Sequence, residues 1–433
     1  MNLIQHIKKA IPPKLFQRLK DYKTNAIALL CFLRNKRNLR AVAGKKDVYN
    51  VLFFLESSAL WKYNHLYRLM QYSKCFNPTL VVCPNRLREE TEMQDSMLKT
   101  YDEMLSFGFN VVLGYDIQKK EYINVRTLDP QIIFFTNSWE QYLDERFHIA
   151  QYSDILTCYM NYSFVTTPHK WSFVTNISAR VWRYFQECNE YNKLLKTWTP
   201  GRNAIVSGYT LYDEFINHDS TGEDWKRNDK LLKRVIYAPH HSIPEVADGI
   251  ISLSTFLIHA ETMLEIAEEY KDQIQFVFKP HPFLRNNLYQ HPDWGREKTD
   301  KYYNAWKDGE NTTFVNGGYI DLFKSSDALI HDCSSFTIEY LYTKKPVCFL
   351  SNIGHEGQAN EVALRAYDVH YKAKTKVDIC KFIDNVILGG VDKKRVERER
   401  LYNDILLPPN DCTASENILN ELKKSLKIHE NTI

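Results

Sequence analysis

The chain has 433 residues, 44% of them hydrophobic, 25% charged and 13% aromatic, a globular composition that excludes disordered, collagen-like and coiled-coil classes. A formal net charge of +3 gives no reason to expect a nucleic-acid binder. Single cores stop growing at about 250–300 residues, so the length favours two domains.

With 15 glycines and neither G-x-G-x-x-G nor G-x-x-x-x-G-K-[ST], phosphate recognition has to use something other than a glycine-rich loop. Nine scattered cysteines without C-x-x-C pairs argue against a zinc site or disulfide framework and fit a reducing cytosol. No signal-peptide pattern is expected at the start, since the apolar run Ala26 to Leu33 is short and far in. It is also far below the roughly 20 residues that span a bilayer.

Charge is unevenly placed. Residues 1–46 carry twelve Lys or Arg against the single acid Asp21, which leaves the rest of the chain net acidic. Leu3, Ile4, Ile7 and Ile11 follow helical spacing, Pro12 and Pro13 interrupt it, and Leu15, Phe16 and Leu19 resume it. A basic, amphipathic, non-spanning segment suits an anionic membrane surface, the plain alternative being a solvated arm packed on its own protein.

Strands then alternate with helices. Strands are expected at 48–55, 79–83, 110–114, 131–136, 156–159 and 203–207, with helices at 93–107 and 182–195. The polar stretch 217–230 reads as a linker. Alternation restarts at 234–238, followed by a helix through Phe256, Ala260 and Met263, strands at 274–279, 313–315, 327–332 and 346–350, and a last helix over 415–426. The expected division is therefore a basic segment 1–46, a first lobe 47–216, a linker 217–230 and a second lobe 231–433 that includes the last helix. Repeated βα units imply an α/β protein of two doubly wound, Rossmann-like lobes.

Ligands of open parallel sheets bind outside the carboxyl ends of the strands. Three such ends in the second half are rich in chemistry: Ala238-Pro239-His240-His241-Ser242, Lys279-Pro280-His281-Pro282 and Asp332-Cys333-Ser334-Ser335. Ser334 is placed to cap a helix 335–342, whose first N–H groups would favour an anion. Prolines on both sides hold His281 extended, where it could donate to or protonate a phosphate, with Lys279 as a second cation. Adjacent residues on an extended segment point apart, so only one of His240 and His241 is expected to face the ligand. Glu339 could accept ribose hydroxyls, and Cys333 reads as a packing residue.

The run from Ser326 through Asp332-Cys333-Ser334-Ser335 to Pro346-Val347, together with Lys279-Pro280-His281-Pro282, Val206-Ser207-Gly208-Tyr209 and Asp213, resembles the CDP-glycerol glycerophosphotransferase family of teichoic-acid and capsule polymerases. The resemblance implies a GT-B architecture, with two lobes facing a central cleft, the first being the acceptor lobe and the second the nucleotide lobe. It implies transfer of glycerol phosphate or ribitol phosphate from CDP-glycerol or CDP-ribitol to a hydroxyl of a glycan or lipid-linked acceptor, with release of CMP and no metal or other cofactor. His281 would then contact the diphosphate, Ser334 and Ser335 would hold it, Asp332 would brace the loop, and residues 1–46 would dock on the inner face of the bacterial membrane.

One feature departs from the family pattern. Its teichoic-acid members carry a His-Gly-Thr motif in the first lobe, where this chain reads Cys158-Tyr159-Met160-Asn161-Tyr162. The general base is therefore open, with Tyr162, Glu56, His65 and His169 as candidates. Two other functions remain: a GT-B glycosyltransferase using a CMP-sugar or UDP-sugar, since bacterial sialyltransferases share short His-Pro and Ser-Ser elements, and an inactive membrane scaffold. A nucleic-acid partner is not expected.

Overall fold

The computed structural model describes residues 13–217, 220–227, 231–243, 253–351 and 356–428. The expected helical turn Leu3–Ile11 lies outside them. The chain divides into two compact units, one of Met1–Tyr162, His169–Asp213 and Pro408–Ile433, the other of Ser163–Pro168 and Glu214–Leu407.

The first unit holds a seven-stranded parallel sheet in the order β3-β2-β1-β6-β7-β8-β9. Its strands are β1 (Tyr49–Leu55), β2 (Phe76–Val82), β3 (Val111–Leu113), β6 (Ile132–Phe135), β7 (Leu156–Tyr159), β8 (Arg183–Gln186) and β9 (Ala204–Val206). A hairpin of β4 (Tyr115–Asp116) and β5 (Glu121–Tyr122) stands apart from it. The central strands are buried on both faces and are continuous apolar runs for that reason. Phe53 and Phe134 stack across neighbouring strands with ring centroids 4.8 Å apart.

The expected helix 182–195 is corrected here. Arg183–Gln186 is a strand, pairing with β7 and β9, and helix begins only at Asn189. Helical spacing and a short buried aromatic run are indistinguishable by periodicity, and the gap between β7 and β9 decided for strand.

The second unit holds a six-stranded parallel sheet in the order β12-β11-β10-β13-β14-β15, from β10 (Lys233–Ala238), β11 (Ile274–Phe278), β12 (Thr312–Phe314), β13 (Ala328–His331), β14 (Val347–Leu350) and β15 (Tyr371–Ala373). Alternation along the strands feeds two cores. Val235, Tyr237, Phe276, Phe278 and Ile330 pack with Phe256 and Trp306 on one face, and Ile236, Val277 and Leu329 with Leu322 and Tyr340 on the other. This is the double-wound α/β arrangement expected from sequence.

Two boundaries differ from the sequence expectation. The segment taken for a linker is partly built into the second unit, where Trp225 joins the Ile236–Val277 core and Asp321 receives the Thr221 and Gly222 amides. The last helix, Ala414–Leu426, belongs to the first unit, its first amides donating to Asp213 at 2.9 and 2.8 Å. Pro408 sits against Gly208, where φ is 84° and an added Cβ would lie only 2.6 Å from the Pro408 Cβ, which disfavours any side chain there.

The helix Pro13–Val42 starts on a proline, which suits a first helical position. It is less amphipathic than expected. Its buried positions are Cys31, Asn35 and Asn38, the two asparagines donating to the carbonyls of Arg180 and Ser153. Leu15, Leu19, Tyr22, Leu30 and Leu33 remain exposed among its basic residues. Among the described residues, no helix is long and apolar enough to cross a membrane.

Candidate functional site

In the second unit β11, β10 and β13 are neighbours, so their carboxyl ends present the three motifs side by side. Backbone pairing continues past the strands: Lys279 N–H donates to Tyr237 O at 2.8 Å and His281 N–H to Pro239 O at 3.0 Å. This sets His281 beside the loop after β10. The ring centroids of His240, His241 and His281 lie 4.4, 5.3 and 4.1 Å apart pairwise.

Both His240 and His241 therefore reach His281, against the expectation that only one would face the ligand. The chain bends at His241 instead of staying extended, which turns consecutive side chains toward the same neighbour. Among the described residues no group of three or more His, Cys, Asp or Glu is arranged to hold a metal.

Local hydrogen bonds assign the tautomers of two of these rings. His281 Nδ1 accepts from Phe283 N–H at 3.2 Å, and His240 Nδ1 from Ser242 N–H at 3.2 Å with the Ser242 hydroxyl at 2.8 Å. The proton of each neutral ring then resides on Nε2. Burial, His241 and Lys279 push His281 down to about 3, and burial lowers His241. At neutral pH His241 and His281 are thus uncharged, and an arriving anion would draw a proton onto them.

Asp332 is buried and organises the site. Its Oδ1 accepts the His240 N–H, and its Oδ2 accepts the Thr255 N–H and the Thr255 hydroxyl, the last at 2.8 Å. Burial raises its carboxyl to about 6 while these donors oppose the rise. Lys279 is buried too, where an exposed cation was the plain alternative.

Two sequence expectations are corrected. Ser334 does not cap a helix: the helical residues are Phe336–Glu339, followed by a 3-10 turn Tyr340–Thr343, and Ser335 precedes them without a side-chain capping bond. Ser335 is already helical at φ −65° and ψ −35°, so the extended capping geometry is absent. So short a helix carries little end charge, and what remains at this strand end is two half-buried hydroxyls. Glu339 is buried and accepts the Tyr319 hydroxyl at 2.6 Å, so it does not face outward for a ribose. Cys333 packs as expected, its thiol on Ala238 O and raised by burial.

The four candidate bases fare differently in the first unit. Glu56, at the end of β1, accepts from Asn85 at 3.0 Å and lies 3.8 Å from Arg88. Burial raises the Tyr162 phenol, which keeps its proton. His65 lies on the helix Asn64–Tyr72 and eases the charge on Asp213, while His169 stacks on Trp171 at 5.6 Å. No two of the four share a hydrogen bond in the described contacts, so they do not form one group.

Sequence reasoning missed Glu187, directly after β8. It is 1% exposed, and among the described residues neither carboxylate oxygen has a well-aligned hydrogen-bond partner. Burial lifts its carboxyl to about 8. The strand-length run Arg183-Tyr184-Phe185-Gln186 was the available signal, hidden by the helical assignment.

Residues 176–353 match the family model described as CDP-glycerol:poly(glycerophosphate) glycerophosphotransferase, so the family resemblance drawn from the strand-end motifs is borne out over that segment. The minor teichoic acid biosynthesis protein GgaB of Bacillus subtilis (strain 168) is 25% identical over 240 residues, 49% of this chain. The chain spans about a quarter of that relative's length, 24%.

Among solved structures, the wall teichoic acid polymerase TagF superposes with a TM-score of 0.56 at 12% identity, covering 94% of this chain and 98% of that one. A UDP-GlcNAc 2-epimerase from Neisseria meningitidis, bound to UDP-GlcNAc, gives 0.52 at 14% identity, covering 87% and 99%. These likenesses establish the GT-B-type fold and nothing finer.

Proposed function

We propose that this chain transfers glycerol phosphate or ribitol phosphate from a CDP-activated donor to a hydroxyl of a cell-surface glycan or lipid-linked acceptor and releases CMP. The observation that carries this reading is the family match over residues 176–353, which contains Lys279, His281, Asp332, Ser334 and Ser335. The GgaB and TagF likenesses support it.

The acceptor oxygen attacks the distal phosphorus. The Nε2–H groups of His240 and His281, the ammonium of Lys279 and the hydroxyls of Ser334 and Ser335 stabilise the charge that grows on CMP. Asp332 acts through His240 by fixing its backbone. Charge neutralisation by these groups requires no metal, so EDTA leaves the rate unchanged under this reading.

The test offers CDP-glycerol, CDP-ribitol, CMP-sialic acid and UDP-sugars with a crude membrane glycan as acceptor and identifies the nucleotide released. CMP from a CDP-polyol is the expected result, whereas UDP from a UDP-sugar would establish the glycosyltransferase alternative.

The same reading places the protein on the cytoplasmic face of the bacterial membrane, held by the exposed leucines and basic residues of Pro13–Val42. Charge reversal of Arg18, Lys20 and Lys23 is expected to lower co-sedimentation with anionic vesicles at least tenfold. Unchanged sedimentation would move the membrane contact elsewhere. These positions test the contact without disturbing the buried Asn35 and Asn38.

A further inference from the structure

Glu187 follows β8 at the carboxyl end of the first sheet, the end at which open parallel sheets take their ligands. Among the described residues its two carboxylate oxygens and both amide atoms of the adjacent Gln186 are buried without a well-aligned hydrogen bond, with the Asn161 side chain close to Glu187 and the Tyr184 hydroxyl close to Gln186. Four such atoms on two consecutive residues form an unusual concentration, because buried polar groups in native proteins are almost always hydrogen-bonded. A structural carboxyl would be expected to hold a lysine, an arginine or a set of backbone amides.

The surroundings are hydroxyl-rich. Tyr159 donates to Asn161 Oδ1 at 2.8 Å, and Asn161 Nδ2 to the Tyr184 hydroxyl at 3.1 Å. Asn161 lies near enough to Glu187 to stabilise its charge slightly without a well-aligned bond. Asn161 also belongs to the Cys158–Tyr162 segment in which the family resemblance leads one to look for a histidine base and finds none. The carboxyl therefore adjoins the place where a proton acceptor is missing.

We propose that Glu187 is the general base of the acceptor reaction. Its carboxylate takes the proton of the acceptor hydroxyl as that oxygen bonds to the distal phosphorus of the donor. The P–O bond to CMP breaks, CMP leaves with the bonding pair, and the proton passes from Glu187 to solvent after product departs. The inference rests on the reading of the chain as a CDP-polyol phosphotransferase.

Chemistry favours Glu187 over the candidates read from sequence. Glu56 is engaged by Asn85 and Arg88, and the Tyr162 phenol is held protonated. A carboxyl lifted to about 8 is a stronger base than an ordinary glutamate and ionises near working pH. The titratable groups facing it are Tyr63 ahead of the helix Asn64–Tyr72, Tyr184 on β8 and Cys188 on the following turn. Burial raises all three, so they stay neutral where Glu187 ionises.

The experiment compares the full-length wild type with Glu187→Gln and Glu187→Asp. It measures CDP-glycerol affinity by calorimetry and transfer rate from pH 6 to 9. The Gln variant is expected to bind CDP-glycerol as the wild type does, to lose transfer at least 100-fold and to show a residual rate that no longer climbs with pH. The Asp variant keeps a carboxylate and is expected to keep the climbing limb at a reduced rate.

A Gln variant within threefold of wild-type transfer overturns the base assignment and leaves the phosphotransferase reading intact. Should the Gln variant not fold, an Asp variant whose rate is flat across this range overturns it equally. A wild type that neither binds nor consumes a CDP-polyol overturns the reading itself, and the assignment with it.

Discussion

The carboxyl ends of the two sheets solve opposite problems. In the second unit, the end of β10, β11 and β13 carries Asp332, His240 and His281, each engaged by local hydrogen bonds. Asp332 accepts three hydrogen bonds, and His240 and His281 have their Nδ1 atoms occupied. In the first unit, the end of β8 carries Glu187 and Gln186, whose side-chain polar atoms make no well-aligned hydrogen bond among the described residues. Under the proposed reaction this difference suits a division of labour: a braced set of donors positions charge that arrives with a substrate, whereas a base has to keep an oxygen available.

The sharpest way to break this contrast is to remove His281. His281→Ala is expected to lower transfer by about 100- to 10,000-fold while the fold survives, read by CMP release together with thermal melting. Near-normal turnover would remove the imidazole cluster from the mechanism. A subtler reading of the same residue is proton uptake. Its depressed value of about 3 would rise against a diphosphate, so CDP binding near pH 6 is expected to take up a proton in the wild type and not in the variant.

Asp332 tests whether the donor end is braced. Asp332→Ala leaves three buried donors without an acceptor, an expected cost of about 3 kcal/mol and a fall in melting temperature of roughly 6–12 °C. Donor affinity is expected to fall with it, because His240 loses its backbone anchor. A variant that melts normally would mean that the loop after β10 holds itself.

The smallest effect sharpens the acceptor side. The Glu187 carboxyl is raised from its ordinary 4.5 to about 8 by burial, so between these values the folded chain holds a proton that the unfolded chain releases. Stability from this group is greatest below the unfolded value and is lost as pH rises toward 8, at about 1.4 kcal/mol per pH unit. The comparison with Glu187→Gln isolates it from pH 6.5 to 8, because Asp213 and Asp332, centred near 6, and Lys345, lowered by burial to about 8, titrate alike in both proteins. Glu187→Gln is expected to flatten the denaturation free energy across this interval. A wild-type profile that is already flat would mean that the carboxyl is solvated.

What the sequence could show depended on the range of the interactions. The central strands were legible because their runs are apolar, bounded by turns and buried on both faces, which needs no knowledge of partners. The three donor-side strand ends were legible for a related reason, since each motif follows its strand directly and the sheet order brings them together. His240 and His241 were misjudged because a single bend at His241, invisible in residue types, turns both rings toward His281. Ser334 was misjudged because helical geometry begins at Ser335 without a capping bond.

By itself the sequence determined an α/β chain of two doubly wound sheets, a basic first segment and a second half whose strand ends carry the family's motifs. Those follow from periodicity, composition and local order, which are properties of neighbours along the chain. Only the tertiary structure decided that Arg183–Gln186 is a strand, that Trp225 belongs to a core and that the last helix joins the first unit. It alone also decided that Glu187 is buried without a well-aligned hydrogen bond among the described residues. Each of these depends on which distant groups fill the space around a side chain, and burial against distant partners leaves no periodic trace in the sequence.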